Sequence, residues 1–503
     1  MKVHRQIAIG ALLSYGAIAF NIIAGLLYTP WMIRTIGDDH YALYTLALSV
    51  INIFLMDFGV GAAVSRFLAK YYAEKRYEEA NRFMGIVYKV FLVISAAIAV
   101  CLFVFYWLID GIYQNLTISE LQIFKRLFLI VATYSVFSFS FTTFNGVLMA
   151  NERFIAVKAC TFAQKVLSVV LIIAALLMGG DVYTLVIVHA ISNVIFILIK
   201  FFCVRRGTTL RVDFSYWNKE TAKELFDFSA WVTVMSLAQR CIFNIMPSVI
   251  AAIVGSAEVT LFSLAATLEG YVYGFADAIN GMFLPRISRI MANDNAEHKL
   301  GALMGAVGRF HVATIGLLYV GFLAVGQHFV ALWMGEEYLE IYVCAVFLIF
   351  PSLIDVPQQV AKTALLAQNI VREQALVYLG MAALNLGLAF LFIPVFSATG
   401  AAVSVCIAYI FRTVAFNVLY KKKLSLSLTS YFKTAYGRWI PVSLVTLTVG
   451  FLLNHQIGCR GGWGMLALKI VLITGFYGLM FIFIGVKKEE RHAVIHLMRG
   501  GRR

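Results

Sequence analysis

Residues 51–91 read INIFLMDFGVGAAVSRFLAKYYAEKRYEEANRFMGIVYKVF. A greasy run carrying one acid, Asp57, gives way to dense charge from Arg66 to Arg82, and then the chain turns greasy again. Two solidly apolar segments around a short charged connector are the pattern of a hairpin of membrane helices. The rest of the chain has the same texture. Of its 503 residues, 61% are hydrophobic and only 13% are charged, and the mean hydropathy is +0.85. A soluble chain carries about a quarter charged residues. The composition therefore predicts a polytopic membrane protein. Unpaired backbone groups are so costly in lipid that the spans must be helices, and a barrel would need alternating rather than continuous apolar residues.

Runs of about 20 apolar residues occur about fourteen times, near 7–32, 41–65, 85–109, 126–150, 157–179, 182–203, 228–254, 259–284, 307–333, 341–366, 374–395, 398–419, 438–455 and 464–486. An even number places both termini on one side. If that side is the cytoplasm, its loops and tails hold nearly all the basic residues, among them Lys75, Arg76, Arg205, Arg206, Lys421, Lys422 and Lys423. The opposite loops are short and acidic, with Asp38, Asp39, Asp110, Glu336, Glu337 and Glu340. That segregation is the positive-inside pattern. It accounts for the net charge of +15 without a nucleic-acid partner. The short basic start (Lys2, Arg5) leads into an apolar run with no prompt cleavage site, so the first span is expected to be retained. The seven cysteines show no metal-like spacing and read as small core or lipid-facing residues. The segment 420–437 is basic and amphipathic and is expected on the cytoplasmic face.

The opening stretch recurs. SRFLAKYYAEKRYEEANRFMGIV begins at Ser65, and SRIMANDNAEHKLGALMGAV begins at Ser288. Ala73-Glu74 matches Ala296-Glu297, Met84-Gly85 matches Met304-Gly305, and Asp57 falls opposite Asp277. Both copies sit at the second and third helices of a six-helix set. This predicts a parallel repeat of two pseudo-symmetric lobes. The expected organisation is an all-α integral membrane protein. It has an N-lobe over 1–205, a cytoplasmic linker over 206–227, a C-lobe over 228–419, and an interfacial segment, two further spans and a basic tail over 420–503.

RTIGDDHYALYTLALSVINIFLMDFGVGAAVSRFLAK (34–70) resembles the N-terminal signature of bacterial polysaccharide flippases of the O-antigen, Wzx-like kind. These belong to the multidrug/oligosaccharidyl-lipid/polysaccharide exporter superfamily. Arg34, Gly37, Tyr41, the Asp57-Phe-Gly-Val-Gly turn and the Ser65-Arg66 exit carry the match, and FLPRISRIMANDNAEHK (283–299) resembles the second-lobe counterpart. Ala42 departs from the glycine common after the tyrosine. The resemblance implies an inner-membrane flippase that moves an oligosaccharide on undecaprenyl pyrophosphate to the outer leaflet. It implies two lobes opening alternately around a cavity, and a lipid-tail groove formed by two extra C-terminal helices. Polysaccharide polymerase and chain-length machinery are the partners such a role would bring, together with membrane lipids.

Charges inside spans are expensive and mark sites or internal pairs. Arg240, flanked by Gln239 and Asn244, lies near the middle of the seventh run. It suits a pyrophosphate or an acidic sugar, or alternatively pairs with Glu269 of the next run. Lys165 is a first-lobe candidate for the same cavity. Glu269 and Asp355 could carry a coupling H+ or Na+. Asp355 sits between Pro351 and Pro357, which should break or kink its helix. Asp57 and Asp277 read as gating or capping acids beside Arg66 and Arg289. Lys89, Lys362 and Arg412 read as snorkelling to the cytoplasmic interface. Lys469 reads as meeting a lipid phosphate or snorkelling outward. His189, His311 and His328 read as packing or interfacial residues. No nucleotide loop, catalytic triad, metal set or cofactor motif is present in the sequence. The rival readings are a cation-drug exporter of the same superfamily, a lipid II flippase, and a membrane polysaccharide polymerase or ligase.

Overall fold

The computed structural model describes residues 2–54, 60–208, 210–280, 296–368, 370–457 and 461–485, with Ile287, Ile290 and Met291. The described residues form helices and connectors, with no strand among them. In chain order the helices are α1 (Lys2–Ile36), α2 (Asp38–Phe54), α3 (Val60–Ala73), α4 (Tyr77–Ile112), α5 (Ile118–Phe139), α6 (Thr143–Ala150), α7 (Phe154–Leu177), α8 (Val182–Gly207), α9 (Lys219–Phe243), α10 (Met246–Ile253) and α11 (Ala257–Asn280). There follow α12 (Ala296–Trp333), α13 (Glu340–Ile349), α14 (Ser352–Asp355), α15 (Gln359–Ala367), α16 (Val371–Leu424), α17 (Leu428–Tyr436), α18 (Trp439–Ile457) and α19 (Trp463–Met480).

Each of the fourteen apolar runs coincides, in its described part, with one helix or with helices in direct succession. Ten helical stretches among the described residues are long and apolar enough to cross a membrane. The 54-residue α16 is two helices in one, because Ser397 (φ 50°, ψ −130°) interrupts the helical backbone. Exposed apolar side chains such as Leu92, Phe103, Trp107, Leu391 and Val395 face outward, as lipid-facing residues do. The protein is a multi-pass membrane protein.

The chain forms two compact units, residues 1–263 with 371–405, and residues 264–370 with 406–503. In the first, α7 packs between α1 and α8, α5 packs on α2 and α4, and α3 packs on α6. Gly146 lets α6 approach α3: a Cβ there would lie 2.7 Å from Gly61 O. Thr117 and Glu120 close a capping box on α5, and Asp181 caps α8 through the amide of Thr184 (3.0 Å). On the face the charge pattern assigns to the outside, Asn115 Nδ2 donates to Ala252 O and Ile253 O (2.6 and 3.0 Å), and Glu120 accepts from Ser256. The connector after α8 is laid onto α4. Arg211 N donates to Asn81 Oδ1 (2.7 Å), Lys89 Nζ donates to Tyr216 O (3.3 Å), and Arg82 stacks on the Tyr216 ring.

The second unit is built around α12, against which α13–α15, α17, α18 and α19 pack. Its glycines admit large side chains. A Cβ at Gly316 would lie 2.1 Å from Trp439 Nε1, and one at Gly326 would lie 2.8 Å from the Tyr342 ring. Ala324, Val325, Leu466 and Ile473 form an apolar cluster that joins α12 to α19. Among the described residues, Cys101, Cys160, Cys203, Cys344 and Cys406 are free thiols.

Candidate functional site

The densest buried charge lies in the second unit. The sequence FPSLIDVPQQVAK does not continue α13. Pro351 starts the short α14, Pro357 sits in a 3₁₀ turn over 356–358, and α15 follows. The expected break or kink takes the form of a short 3₁₀ turn, Val356–Gln358, in a backbone that stays right-handed helical at Pro351, Asp355 and Val356. It sets Asp355 and Lys362, two turns apart, on one face. Lys362 Nζ lies 3.1 Å from both carboxylate oxygens of Asp355. Arg412, arriving on the second half of α16, places Nη2 2.7 Å from Asp355 Oδ2. The guanidinium lies over the Tyr409 ring at 4.2 Å, and Lys362 Nζ lies 5.8 Å from the Phe416 ring. All three charged residues are 7% exposed or less.

This arrangement corrects the snorkelling expectation for Lys362 and Arg412. Both are inside the protein, paired with an acid, because an unpaired buried charge costs several kcal/mol on the order of its desolvation. The signal was available in the sequence: an acid and a base seven residues apart, with one proline between them and another just before the acid.

Glu269, on α11, belongs to the same unit and has a different environment. It is 7% exposed and accepts a hydrogen bond from Ser352 Oγ (3.2 Å), a neutral partner one helical turn before Asp355. Asp355 and Arg412 are near enough to act on it electrostatically. With all four groups charged, two acids balance two bases. A proton on Glu269 would leave the cluster one positive charge in excess.

In the first unit, Arg240 occupies the last turn of α9. The helix stops at Asn244, whose amide donates to Arg240 O (3.0 Å), and α10 restarts with Pro247 in its first turn. The seventh run is thus a broken helix, and the break, signalled by Pro247, lies beside the arginine. Arg240 Nη1 donates to Asn52 O of α2 (2.8 Å). Gln239 is exposed and Asn244 half-buried. Lys165 is half-buried on α7, next to Gln164, which bonds Asn193 of α8. Ser168 and Ser192 continue that polar seam (2.8 Å).

Asp57 lies outside the described residues, as do the side chains of Asp277, Arg66 and Arg289. Lys469 is corrected outright. It is fully buried, with Nζ 2.8 Å from Asn454 Oδ1 and 3.5 Å from His328 Nδ1, and it neither snorkels nor reaches a lipid phosphate. His328 Nε2 lies 2.6 Å from Gly461 O, which joins α12, α18 and α19 at one polar knot that the sequence reading missed. His311 is fully buried, as a packing residue would be.

The fold recurs in solved structures. A lipid II flippase, MurJ, in an inward closed conformation superposes with a TM-score of 0.74 at 16% identity, covering 94% of this chain and 98% of that one. An inward-facing multidrug resistance MATE family transporter of the MOP superfamily gives 0.64 at 13% identity, covering 82% and 98%. A MOP superfamily transporter from Pyrococcus furiosus, reported for the reversed polarity of its binding pocket, gives 0.61 at 13% identity, covering 84% and 96%. These likenesses establish a transporter and flippase fold. No curated protein matches the sequence significantly. The family described as polysaccharide biosynthesis protein matches residues 8–291, more than half of the sequence, and the chain belongs to that family.

Proposed function

We propose that this protein is an inner-membrane flippase for a lipid-linked oligosaccharide of surface polysaccharide synthesis, carried on undecaprenyl pyrophosphate. Membership of the polysaccharide biosynthesis family and the fold shared with a lipid II flippase support the reading. The observation that carries the substrate side is Arg240, fixed at a helix break by a backbone carbonyl. A guanidinium held in place binds pyrophosphate through paired, charge-assisted hydrogen bonds. Gln239, Asn244 and Lys165 supply further donors in the same unit. Fourteen spans with both termini cytoplasmic and two repeated lobes, 1–205 and 228–419, would work by alternating access.

The coupling ion is assigned to Glu269 before Asp355. Asp355 is committed to two cations, and neutralising it would leave Lys362 and Arg412 facing each other. Glu269, on a neutral hydroxyl, can change charge without breaking an ion pair. Asp57 and Asp277 are proposed to gate near the cytoplasmic end.

The test is flipping of a fluorescent undecaprenyl-pyrophosphate-linked glycan in proteoliposomes. Arg240→Ala should lose flipping while remaining folded. Glu269→Gln should flip at a rate that no longer responds to an imposed ion gradient. A wild type that moves cationic dyes and no lipid would favour the drug-exporter reading. Growth arrest of peptidoglycan on depletion would favour lipid II.

A further inference from the structure

We propose that a cavity between α12 and α17 binds the phosphate head group of an anionic phospholipid from the cytoplasmic leaflet. The cavity has a volume of about 810 Å³ and lies wholly within the second unit. Its floor is one face of α12, from Glu297 through Gly301 and Gly305 to Arg309. Glu297 and Arg309 are twelve steps apart, or about 18 Å at 1.5 Å per residue. Its roof is the chain from Leu426 to Thr434.

The repeat explains why the space exists. Under the Met84-Gly85 and Met304-Gly305 match, α4 and α12 are counterparts, and each carries on its flank the chain that follows a lobe. On α4 that space is filled. Asp213 O lies 1.8 Å from where a Cβ of Gly85 would stand, Asn81 binds the connector backbone, and Lys89 donates to Tyr216 O. On α12 the counterpart of Asn81 is Gly301, where a Cβ would meet nothing nearer than Leu426 Cδ2 at 3.8 Å. At Gly305 the nearest atom is Thr434 Cγ2 at 3.9 Å. Only further along does α17 come down: at Gly308 a Cβ would lie 2.8 Å from Tyr431 Oη. The two helices diverge from that contact, and the wedge between them is open. Arg309, the counterpart of Lys89, lines it.

The lining suits a phosphodiester. Arg309 and His298 supply positive or donor groups, and Ser427, Ser430 and Thr434 supply hydroxyls. Among the described residues, Glu297 is the one acid in the lining. Tyr431 is 6% exposed and lines the cavity. Its hydroxyl makes no hydrogen bond of acceptable geometry among the described residues, although the Tyr436 hydroxyl is close by and donates to Leu353 O (3.0 Å). A buried hydroxyl on the cavity wall is a place for a ligand oxygen. The flanking chain carries exposed Lys421, Lys422, Lys423, Lys433 and Arg438, on the side that the charge segregation makes cytoplasmic. Anionic lipids of that leaflet draw basic interfacial segments. Met304 and Leu426 give the glycerol end an apolar wall.

The test is native mass spectrometry of the full-length protein, delipidated in detergent and titrated with phosphatidylglycerol or phosphatidylcholine. Phosphatidylglycerol should be retained in preference. Ser430→Glu should weaken its retention about fivefold, the effect of one charge at the site. Ser430→Lys should retain or strengthen it, and Gly301→Asn, which restores the side chain of the first repeat, should weaken it. Thermal unfolding of each variant confirms that it is folded. Equal retention of phosphatidylcholine overturns the proposal, as does equal loss in the glutamate and lysine variants. Displacement by inorganic phosphate would show a free-anion site, and stoichiometric displacement by undecaprenyl phosphate would show a site for the carrier lipid. Either result overturns the phospholipid assignment.

Discussion

Asp355→Asn should be the most damaging single isosteric change in the second unit. The side chain keeps its size, so no cavity forms. What changes is charge: Lys362 at 3.1 Å and Arg412 at 2.7 Å lose their counter-ion while 7% and 4% exposed. Breaking a buried pair on one side costs about 3–5 kcal/mol, and here two cations lose the same acid at once, so the upper end applies. For a unit of this size about 2–4 °C is lost per kcal/mol, which places the fall in melting temperature at about 10 °C or more. Replacing the whole set, Asp355→Leu with Lys362→Met and Arg412→Met, should recover most of that loss, because apolar groups of similar volume substitute for buried ion pairs at little cost. The assay is thermal unfolding of detergent-purified protein followed by size-exclusion fluorescence. If Asp355→Asn melts within 2 °C of wild type, as about 0.5 kcal/mol would give, the cations are solvated and the buried-cluster reasoning fails. If the triple variant melts no higher than the single one, the loss is not electrostatic.

Three further outcomes follow from other contacts. Gly316→Ala should cost about 1–3 kcal/mol, since its Cβ would lie 2.1 Å from Trp439 Nε1, and Trp439→Phe in the same chain should relieve part of that in thermal unfolding. Asn454→Leu should destabilise more than Lys469→Met, because it leaves a fully buried ammonium short of its 2.8 Å acceptor whereas the methionine removes the charge altogether; the reverse order of melting temperatures would refute this. In the connector on α4, the Ser215 hydroxyl and amide hold the Asp213 carboxylate below its usual value of 3.8. A lowered folded value means the turn's contribution is complete above pH 3.8 and is lost as pH falls through that lowered value. Fluorescence of Trp217, in a variant lacking the other six tryptophans, should therefore be flat from pH 7 to pH 4 and shift only below it; a midpoint above pH 4 would contradict the assignment.

The parts legible in the sequence were those set by the solvent. Lipid leaves backbone groups no partner but their own helix, so apolar length alone located the spans, and the prolines around Asp355 announced the 3₁₀ turn found there. What could not be read was where each charge within a span points. Lys362, Arg412 and Lys469 have long stems that reach water from one helical face and a buried partner from another, and hydropathy is the same for both. The difference lies in rotation about the helix axis, which tertiary packing decides and no local pattern records. The seven-residue spacing of Asp355 and Lys362 was the one local clue, because it fixes both on the same face whichever way the helix turns. Arg240 shows the converse case. Its position near a span centre is costly, and its Nη1 donates to Asn52 O (2.8 Å) beside the interruption of the helix at Asn244. Asp355 is held by two bases within 3.1 Å, whereas Glu269 accepts from a hydroxyl and Arg240 donates to a carbonyl, contacts that a change of charge disturbs less. On that criterion Glu269 and Arg240, not Asp355, are the residues whose neutralisation should change transport more than stability.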